Sequence, residues 1–408
     1  MKKLLIIGYV WPEPNSSAAG SRMMQLIHYF QQQDYQITFA SPAQVTEHMV
    51  DLSALAVVQQ TIALNCRSFD DFITELQPDM VMFDRFMMEE QFGWRVSEQC
   101  PQAIKLLDTE DLFCLRHARH DAFKQHREVT DIDLLQSDMA KREVAAIFRC
   151  DLSLMISTVE IALLKRLFKV DESLVHHCAF MLSEQALSKN NPNYEDRSNF
   201  MAIGNFRHAP NWDAVLWLKQ QIWPLIRKQI PEAELHIYGA YPPPKATALH
   251  DEKSGFLVKG WVDDAIIAMQ QAKVCLAPLR FGAGIKGKLA EAMLCATPSI
   301  TTDIGSEGMQ THLPWAGAVA NDVQSFVEQA VTHYQDKSVW LSASELGPQN
   351  AKLQFKQQKI YATLTERLQV LTENLSTHRE RNFIGSMLNH HHHKSTKYMA
   401  QWIEAKNK

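Results

Sequence analysis

Residues 273–293 of this 408-residue chain read KVCLAPLRFGAGIKGKLAEAM. A short apolar segment comes first, a loop rich in glycine and lysine follows, and an amphipathic segment ends the stretch. This order predicts a buried strand, a turn and a helix that begins near Ile285. Because ligands of open parallel sheets bind outside the carboxyl ends of the strands, we expect a binding site in this loop.

The composition of the loop indicates an anionic ligand. Glycines let the backbone approach a ligand closely, and a helix N-terminus presents N–H groups and a partial positive charge. Two lysines add full charges and an arginine adds a planar fork. The spacing is neither the Walker pattern nor G-x-G-x-x-G, so we expect a diphosphate cradle of another kind. Its predicted members are Arg280, Lys286 and Lys288, with the backbone of Gly282, Gly284 and Ile285.

One carboxylate accompanies the predicted cradle. Glu291 follows Lys288 by three residues and lies on nearly the same helix face, where it could accept hydrogen bonds from ribose hydroxyls. The alternative is a Lys–Glu pair on a solvated helix, which contributes only about 0.2–0.5 kcal/mol. Gly287 favours the functional interpretation, because a structural helix gains nothing from glycine in its first turn.

The rest of the chain alternates segments of strand length with segments of helical periodicity. Residues 189–199, KNNPNYEDRSN, lack apolar periodicity and are interpreted as a linker between two such sets. We therefore predict an α/β protein with two doubly wound parallel sheets. The predicted parts are an N-terminal domain at 1–190, a C-terminal domain at 191–345, a helix at 346–377 and a basic, mobile tail at 378–408.

Composition excludes several classes of protein. The net charge of −5 argues against a dedicated nucleic-acid binder, and the seven scattered cysteines without C-x-x-C indicate neither a disulfide framework nor a zinc ribbon. No apolar run reaches the roughly 18–20 residues that span a bilayer. The apolar start, MKKLLIIGYV, is interpreted as a first strand rather than an export signal, because WPEP ends it. We expect a cytoplasmic protein and leave open contact of its basic tail with the inner membrane face.

Three segments resemble glycosyltransferase family 4, whose members have the GT-B fold of two Rossmann-like domains. The segment APLRFGAGIKGKLAEAMLCATPSITTDIGSEGM, at 277–309, is similar to the donor-binding segment of that family. Residues 202–218 resemble the opening strand and helix of its C-terminal domain, and residues 11–26 resemble its first loop. The resemblance extends over nearly all of 1–340.

The resemblance implies a retaining transfer of a sugar from a nucleotide-diphosphate sugar to a hydroxyl group. It also implies that no metal or other cofactor is needed, that the C-terminal domain binds the donor, and that the N-terminal domain binds a glycan or lipid-linked acceptor, as in polysaccharide biosynthesis. Basic side chains and helix dipoles would stabilise the leaving diphosphate. Further donor-binding residues expected from the family's loops and the strand ends are Gly20, Arg22, Gly204, Asn205, Arg207, Ser306 and Glu307.

The sequence departs from the family pattern at three places. Ala283 stands where the family often has a first glutamate, and Phe113 stands in a loop where many relatives have histidine. Asn205 and Pro210 occupy places where Arg and Lys are frequent. These departures leave open a non-catalytic nucleotide-sugar-binding relative, and the shared fold leaves open a nucleotide-sugar epimerase.

Charged residues also follow two predicted strands of the N-terminal domain. Asp84 and Arg85 follow MVMF, and DTEDLFCLR, at 108–116, follows the apolar segment AIKLL. Because carboxyl ends of parallel strands meet at one edge, we expect acceptor contacts there, with helix capping and a local salt bridge as the alternatives. The candidate acceptor residues are Asp84, Arg85, Glu110 and Arg116, and Asp111 is the candidate for taking a proton.

Two histidine patterns are weak metal signals. His117 and His120 are three residues apart, but no third ligand is evident, so a solvated helix face is the simpler interpretation. The run HHHH at 390–393 is not expected to form a functional metal site.

Overall fold

Two parallel β-sheets organise the residues that the computed structural model describes, which are 2–188 and 190–406 without the side chains of 391–393. The first sheet contains β1 (Lys2–Ile7), β2 (Tyr35–Ser41), β3 (Val58–Thr61), β4 (Met80–Asp84), β5 (Ile104–Asp108), β6 (Leu152–Met155) and β7 (Val175–His177). The second contains β8 (Ser198–Ile203), β9 (Leu235–Tyr238), β10 (Phe256–Gly260), β11 (Ala272–Ala277), β12 (Ser299–Thr301) and β13 (Gly317–Val319). The predicted fold class is confirmed.

Helices cover the faces of both sheets. Those that precede residue 190 are α1 (Ala18–Gln32), α2 (Ser68–Leu76), α3 (Phe86–Gln99), α4 (Phe113–Lys124), α5 (Asp131–Leu135), α6 (Asp138–Arg149), α7 (Thr158–Leu167) and α8 (Glu184–Leu187). Those that follow it are α9 (Ala209–Trp217), α10 (Trp223–Gln229), α11 (Pro244–Thr247), α12 (Ala265–Gln271), α13 (Gly287–Leu294), α14 (Asp303–Ser306), α15 (Val323–Gln335), α16 (Lys337–Phe355), α17 (Gln357–Glu373), α18 (Leu375–Arg381) and α19 (Phe383–Lys406). Leu218–Ile222 forms a π turn between α9 and α10.

Strand order places a crevice at the same point in each sheet. The strand orders are β3-β2-β1-β4-β5-β6-β7 and β10-β9-β8-β11-β12-β13. In the first sheet the chain adds strands on one side of β1 and then, from β4 onward, on its other side. In the second sheet the same change of side occurs between β8 and β11. Ligands of doubly wound sheets bind at this change of side, outside the carboxyl ends of the strands. Each sheet therefore offers one binding edge.

Burial of β1 on both faces explains its sequence. Leu4, Leu5, Ile6 and Ile7 are fully buried, because β2 and β4 flank the strand and helices cover both faces of the sheet. A central parallel strand of this kind requires a continuous apolar run rather than alternation.

The end of the chain returns to the first domain. The backbone bends at Lys356, which separates α16 from α17, so the single helix expected at 346–377 is divided. Helix α17 packs on α1, where the hydroxyl groups of Tyr29 and Thr365 are 3.0 Å apart. Leu364 and three other leucine or isoleucine side chains of α17 are buried in the same cluster as the core of the N-terminal sheet.

The described part of the tail is helical and packed, where the sequence led us to expect a mobile segment. Arg379 of α18 pairs with Asp151 at 2.7 Å, and the Asn382 amide donates to the Phe148 carbonyl at 2.7 Å. These contacts hold α18 and the start of α19 against the N-terminal domain. The side chains of residues 391–393, most of the predicted HHHH run, lie outside the described residues.

A buried ion pair fixes α1 on the sheet. The Arg22 guanidinium is fully buried and donates to Asp108 at 2.9 and 3.1 Å and to the Ala179 carbonyl at 3.2 Å. The prediction that Arg22 binds the donor is therefore wrong in this structure, because its side chain points into the domain and is fully committed. The Arg22–Asp108 pair instead holds α1 and β5 together, and so fixes their positions at the ligand-binding edge of the sheet.

Among the described residues, no helix combines the length and the apolar character that crossing a membrane requires.

We expect Leu364→Ala to lower the free energy of unfolding by about 2–5 kcal/mol, because it opens a cavity between α17 and the N-terminal core. Leu353 of α16 is 42% exposed and provides a matched control, for which Leu353→Ala should change stability by about 0.5 kcal/mol or less. Urea denaturation followed by circular dichroism measures both. Equal losses in the two variants would contradict the packing of α17.

Arg22→Met should lower the free energy of unfolding by about 3–5 kcal/mol, because it leaves the Asp108 carboxylate buried without its partner. The control is Arg142→Met, which removes a partly exposed pair with Glu90 and should change stability by about 1 kcal/mol or less. The same denaturation assay compares them. If Arg22→Met were as mild as the control, the structural role assigned to Arg22 would fail.

Candidate active site

The binding edges of the two sheets face one cavity of about 1130 Å³. Loops after β1, β4 and β5 line it from the N-terminal side, and loops after β8, β9, β10 and β11 line it from the C-terminal side. A volume of this size accommodates a ligand larger than a typical drug molecule.

The loop quoted at the outset forms part of the cavity wall. Gly284 has φ of +65°, and a Cβ atom there would lie 2.8 Å from the Cβ of Asp111. Both the backbone conformation and the available space therefore require glycine. Helix α13 begins at Gly287, two residues later than expected, and Lys286 is its N-cap residue.

Two helix N-termini meet at the cleft. A Cβ atom on Gly287 would lie 2.5 Å from the Cβ of Ala18, so the first turns of α13 and α1 are in direct contact. Ser17 caps α1 by accepting the Gly20 N–H at 3.0 Å. The first N–H groups of a helix have no intrahelical acceptor and favour an anion. The cavity wall thus combines two such ends, as predicted for Gly20 and the cradle loop.

The two lysines of the cradle lie in the cleft and differ in their contacts. Lys286 Nζ donates to the carbonyls of Ala283 and Gly284 at 3.1 and 2.5 Å. Lys288 Nζ donates to Asn211 Oδ1 at 2.8 Å. Burial lowers the pKa of each lysine to about 8. Their hydrogen bonds are to neutral oxygens, while the nearby carboxylates of Glu307 and Glu160 partly offset the effect of burial on the pKa of Lys286.

Glu291 lines the cavity on the next turn of α13. Its side chain is partly buried, and burial raises the pKa of its carboxyl group to about 7. Its position beyond the lysines agrees with the predicted geometry, and its contact with a ribose stays a prediction.

Gly204, Asn205, Arg207, Gly282 and Ile285 line the cavity as expected. Asn205 accepts the Arg207 N–H at 2.9 Å, and the Arg207 guanidinium lies 3.5 Å from the centre of the Tyr241 ring. The loop after β8 is thereby connected to the loop after β9.

Arg280 lies outside the cleft. Its guanidinium pairs with Asp213 at 2.6 and 2.8 Å and lies over the rings of Phe123 and Trp217. The predicted catalytic contact of Arg280 is therefore not made in this structure, because the side chain points to the other face of the loop and is already paired.

Two further predicted donor residues do not line the cavity. Ser306 is fully buried and donates to the Asp303 carbonyl at 3.3 Å. Glu307 forms a bidentate pair with Arg119 of the N-terminal domain, with both distances 2.7 Å. In this structure Glu307 therefore connects the two domains rather than facing a ligand.

The predicted acceptor residues all line the N-terminal side of the cleft. Arg116 donates to Asp111 at 2.6 Å, so the candidate base Asp111 is paired. Arg85 and Glu110 have φ values of +72° and +62°, which are uncommon outside glycine. Asp84 Oδ1 and Arg85 Nε lie 3.5 Å apart, and neither has a hydrogen-bond partner among the described residues.

Strain and unpaired polar atoms in one place indicate a functional edge. Burial raises the pKa of Asp84, and it raises the pKa of Glu110 well above its usual value. Asp84 Oδ2 accepts the Tyr9 N–H at 3.0 Å, so its Oδ1 is the atom left to accept a hydrogen bond from a bound molecule.

Several residues of the cleft were missed from the sequence. They include Asn211, which connects Lys288 to the Asn205 carbonyl, and His208, whose pKa burial lowers to about 4. Arg119 and Glu160 also contact the cradle loop from the N-terminal domain. The segment HAPN, at 208–211, lies at the start of α9 just after the loop that follows β8, and could have been found by that position. Single polar residues on α4 and α7 carry no local signal.

Metal-binding geometry is lacking in the described residues, where no three His, Cys, Asp or Glu side chains form a group that could hold an ion. His117 is exposed and pairs with Asp121 at 3.1 Å. The His120 ring is not solvated as expected but stacks on Phe281, with centres 4.4 Å apart. Metal independence of the reaction stays a prediction.

Part of the chain is similar in sequence to known proteins. Residues 197–336 match the family model described as glycosyl transferases group 1. A Klebsiella pneumoniae protein described as an uncharacterized 44.6 kDa protein in cps region is 25% identical over 147 residues, which span 34% of this chain and 38% of that protein.

Solved structures resemble the whole chain. Sucrose-phosphate synthase from Thermosynechococcus elongatus superposes with a TM-score of 0.64 at 15% identity, over 91% of this chain and 99% of its own. Anabaena HepE in complex with UDP and glucose superposes with a TM-score of 0.67 at 12% identity, over 90% of this chain and 100% of its own. The chain therefore has the two-domain GT-B fold, and its C-terminal domain carries the match to the glycosyl transferases group 1 family.

Proposed function

We propose that the protein is a glycosyltransferase that moves a sugar from a nucleotide-diphosphate sugar to a hydroxyl of a glycan or lipid-linked acceptor, with retention of configuration. The observation that carries the proposal is the meeting of two helix N-termini beside Lys286 and Lys288. The match to glycosyl transferases group 1 and the likeness to a structure that holds UDP and glucose support it. Membership in family 4 is part of the same proposal.

The chemistry of the leaving group fits this wall of the cleft. In the proposed reaction the bond between the anomeric carbon and the diphosphate oxygen breaks, and negative charge accumulates on the diphosphate. Lys286, Lys288 and the first N–H groups of α13, all at the cavity wall, would be the donors and charges nearest to that position. They would stabilise the departing charge without a metal ion.

The N-terminal side of the cleft would hold the acceptor. A bond forms between the acceptor oxygen and the anomeric carbon, and the hydroxyl proton must leave. Asp111 is our candidate for receiving it, since Arg116 holds its carboxylate at the cleft by a 2.6 Å hydrogen bond. Asp84 and Glu110 would orient further hydroxyl groups.

We expect nucleoside diphosphates to raise the thermal unfolding temperature with or without EDTA. A ligand at 100 times its Kd stabilises the folded state by about 2.7 kcal/mol. Lys286→Ala and Lys288→Ala should reduce the shift, because each removes a positive charge from the diphosphate position. Lys253→Ala is the control, since Lys253 is exposed and does not line the cleft.

Product analysis then separates the rival functions. Sugar attached to an added acceptor supports transfer, whereas conversion of the donor sugar without an acceptor would identify an epimerase. Nucleotide binding with neither product would identify a binding protein. No thermal shift with any nucleotide would contradict the donor site itself.

The pH dependence of kcat/KM for the donor should be bell-shaped, with its maximum between about pH 7 and pH 8. Below about pH 7 Glu291 becomes protonated and loses an acceptor for ribose hydroxyls, and above about pH 8 Lys286 and Lys288 lose their charges. Steady-state rates in a constant-ionic-strength buffer series measure the profile. The Glu291→Gln variant should have a lower kcat/KM, and its pH profile should lack the fall in rate on the acidic side. An unchanged fall on the acidic side would contradict the assignment of Glu291 to the site.

A further inference from the structure

The backbone of the cradle loop has its hydrogen-bond partners in the other domain. The Gly282 carbonyl accepts from Arg119 Nη1 at 2.8 Å, and the Gly284 N–H donates to Glu160 Oε1 at 2.7 Å. Arg119 belongs to α4 and Glu160 to α7, both in the N-terminal domain. Because buried backbone groups need partners, the conformation of this loop depends on the position of the N-terminal domain.

Arg119 also holds the turn after α14. Its two terminal nitrogens donate to the two oxygens of Glu307, each at 2.7 Å. The side chains are 14% and 21% exposed, so the pair is largely protected from water. A planar guanidinium is the side chain suited to such a bidentate contact, and here one guanidinium connects Gly282 and Glu307 at once.

Close packing surrounds these polar contacts. The ring of His120 stacks on Phe281, with centres 4.4 Å apart and planes 10° apart, and the Phe123 ring lies 5.2 Å from the same ring. A Cβ atom on Gly308 would lie 2.7 Å from Ser157 Oγ, so the turn that carries Glu307 also touches the N-terminal domain. The loop is thus enclosed by the other domain on two sides.

We propose that Arg119 is a positioning residue, and this proposal rests on the donor site proposed above. Arg119 holds the Gly282–Gly284 backbone in its diphosphate-binding form and couples donor binding to closure of the two domains. When the domains separate, the Gly282 carbonyl and the Glu307 carboxylate lose their shared hydrogen-bond donor, Arg119. The loop then loses the contacts that fix its backbone conformation. Donor affinity then falls with the closed fraction. By linkage, a bound donor stabilises closure to the same extent.

A purely structural role for Arg119 makes a different prediction. Loss of a stabilising ion pair would lower the unfolding temperature of the whole protein, while the folded molecules would bind the donor as before. The coupling proposal instead requires local opening of residues 280–288 and weaker diphosphate binding at temperatures where the protein is fully folded.

The experiment uses the full chain, with inorganic pyrophosphate as the probe, because the nucleobase is not specified by the loop. Titration calorimetry gives its Kd, and hydrogen-exchange mass spectrometry gives the protection of residues 280–288. The variants are Arg119→Ala, Arg119→Lys and the exchanged pair Arg119→Glu with Glu307→Arg. The matched control is Arg127→Ala, which removes an equally short bidentate pair with Asp133 within the N-terminal domain.

Arg119→Ala should raise the Kd for pyrophosphate about tenfold, within the usual range of coupling between sites, and should speed exchange at residues 280–288. Arg119→Lys should recover part of the pyrophosphate affinity and part of the protection from exchange, because lysine keeps the positive charge but lacks the planar guanidinium. The exchanged pair should restore domain contact but only part of the affinity, because glutamate cannot donate to the Gly282 carbonyl. Arg127→Ala should change neither quantity.

The inference would be overturned if Arg119→Ala left both the Kd and the hydrogen exchange unchanged, whether or not it lowered the unfolding temperature. Failure of the donor site itself looks different, because then the protein with Arg119 intact would bind neither pyrophosphate nor any nucleoside diphosphate.

Discussion

The contact between Gly287 and Ala18 is the constraint on which the site depends. Any side chain on Gly287 would collide with α1, so glycine alone allows the first turns of α1 and α13 to meet. That meeting places the positive ends of two helices, one from each domain, on the same wall of the cleft. The lysines that flank Gly287 then add charge in a partly buried position, where charges interact more strongly than at a fully exposed surface.

Much of the fold and the centre of the site followed from the sequence. Four consecutive buried aliphatic residues in β1 and the regular alternation of strand and helix patterns are local signals, and the structure confirms the two parallel sheets. The glycine–lysine loop could be placed because strand, turn and helix signals occur within twenty residues. Lys286, Lys288 and Glu291 accordingly line the cavity as predicted.

Long-range pairing could not be predicted, and it accounts for the corrections. Arg22 and Arg280 were predicted to bind a ligand from their positions in the sequence. In the fold each forms an ion pair with an aspartate, and these partners are 86 and 67 residues away in the chain. Glu307 forms an ion pair with Arg119, which is 188 residues away in the chain. The bend at Lys356 interrupts a continuous helical periodicity because the chain must cross from one domain to the other there, which is a tertiary requirement.

A crystal structure with a bound nucleoside diphosphate tests the central claim most directly. The account predicts that the two phosphates lie at the N-terminus of α13, within hydrogen-bonding distance of Lys286 or Lys288, and beside the first turn of α1 on the same wall of the cleft. A diphosphate bound elsewhere, or one held by a single domain with α1 and α13 apart, would contradict it.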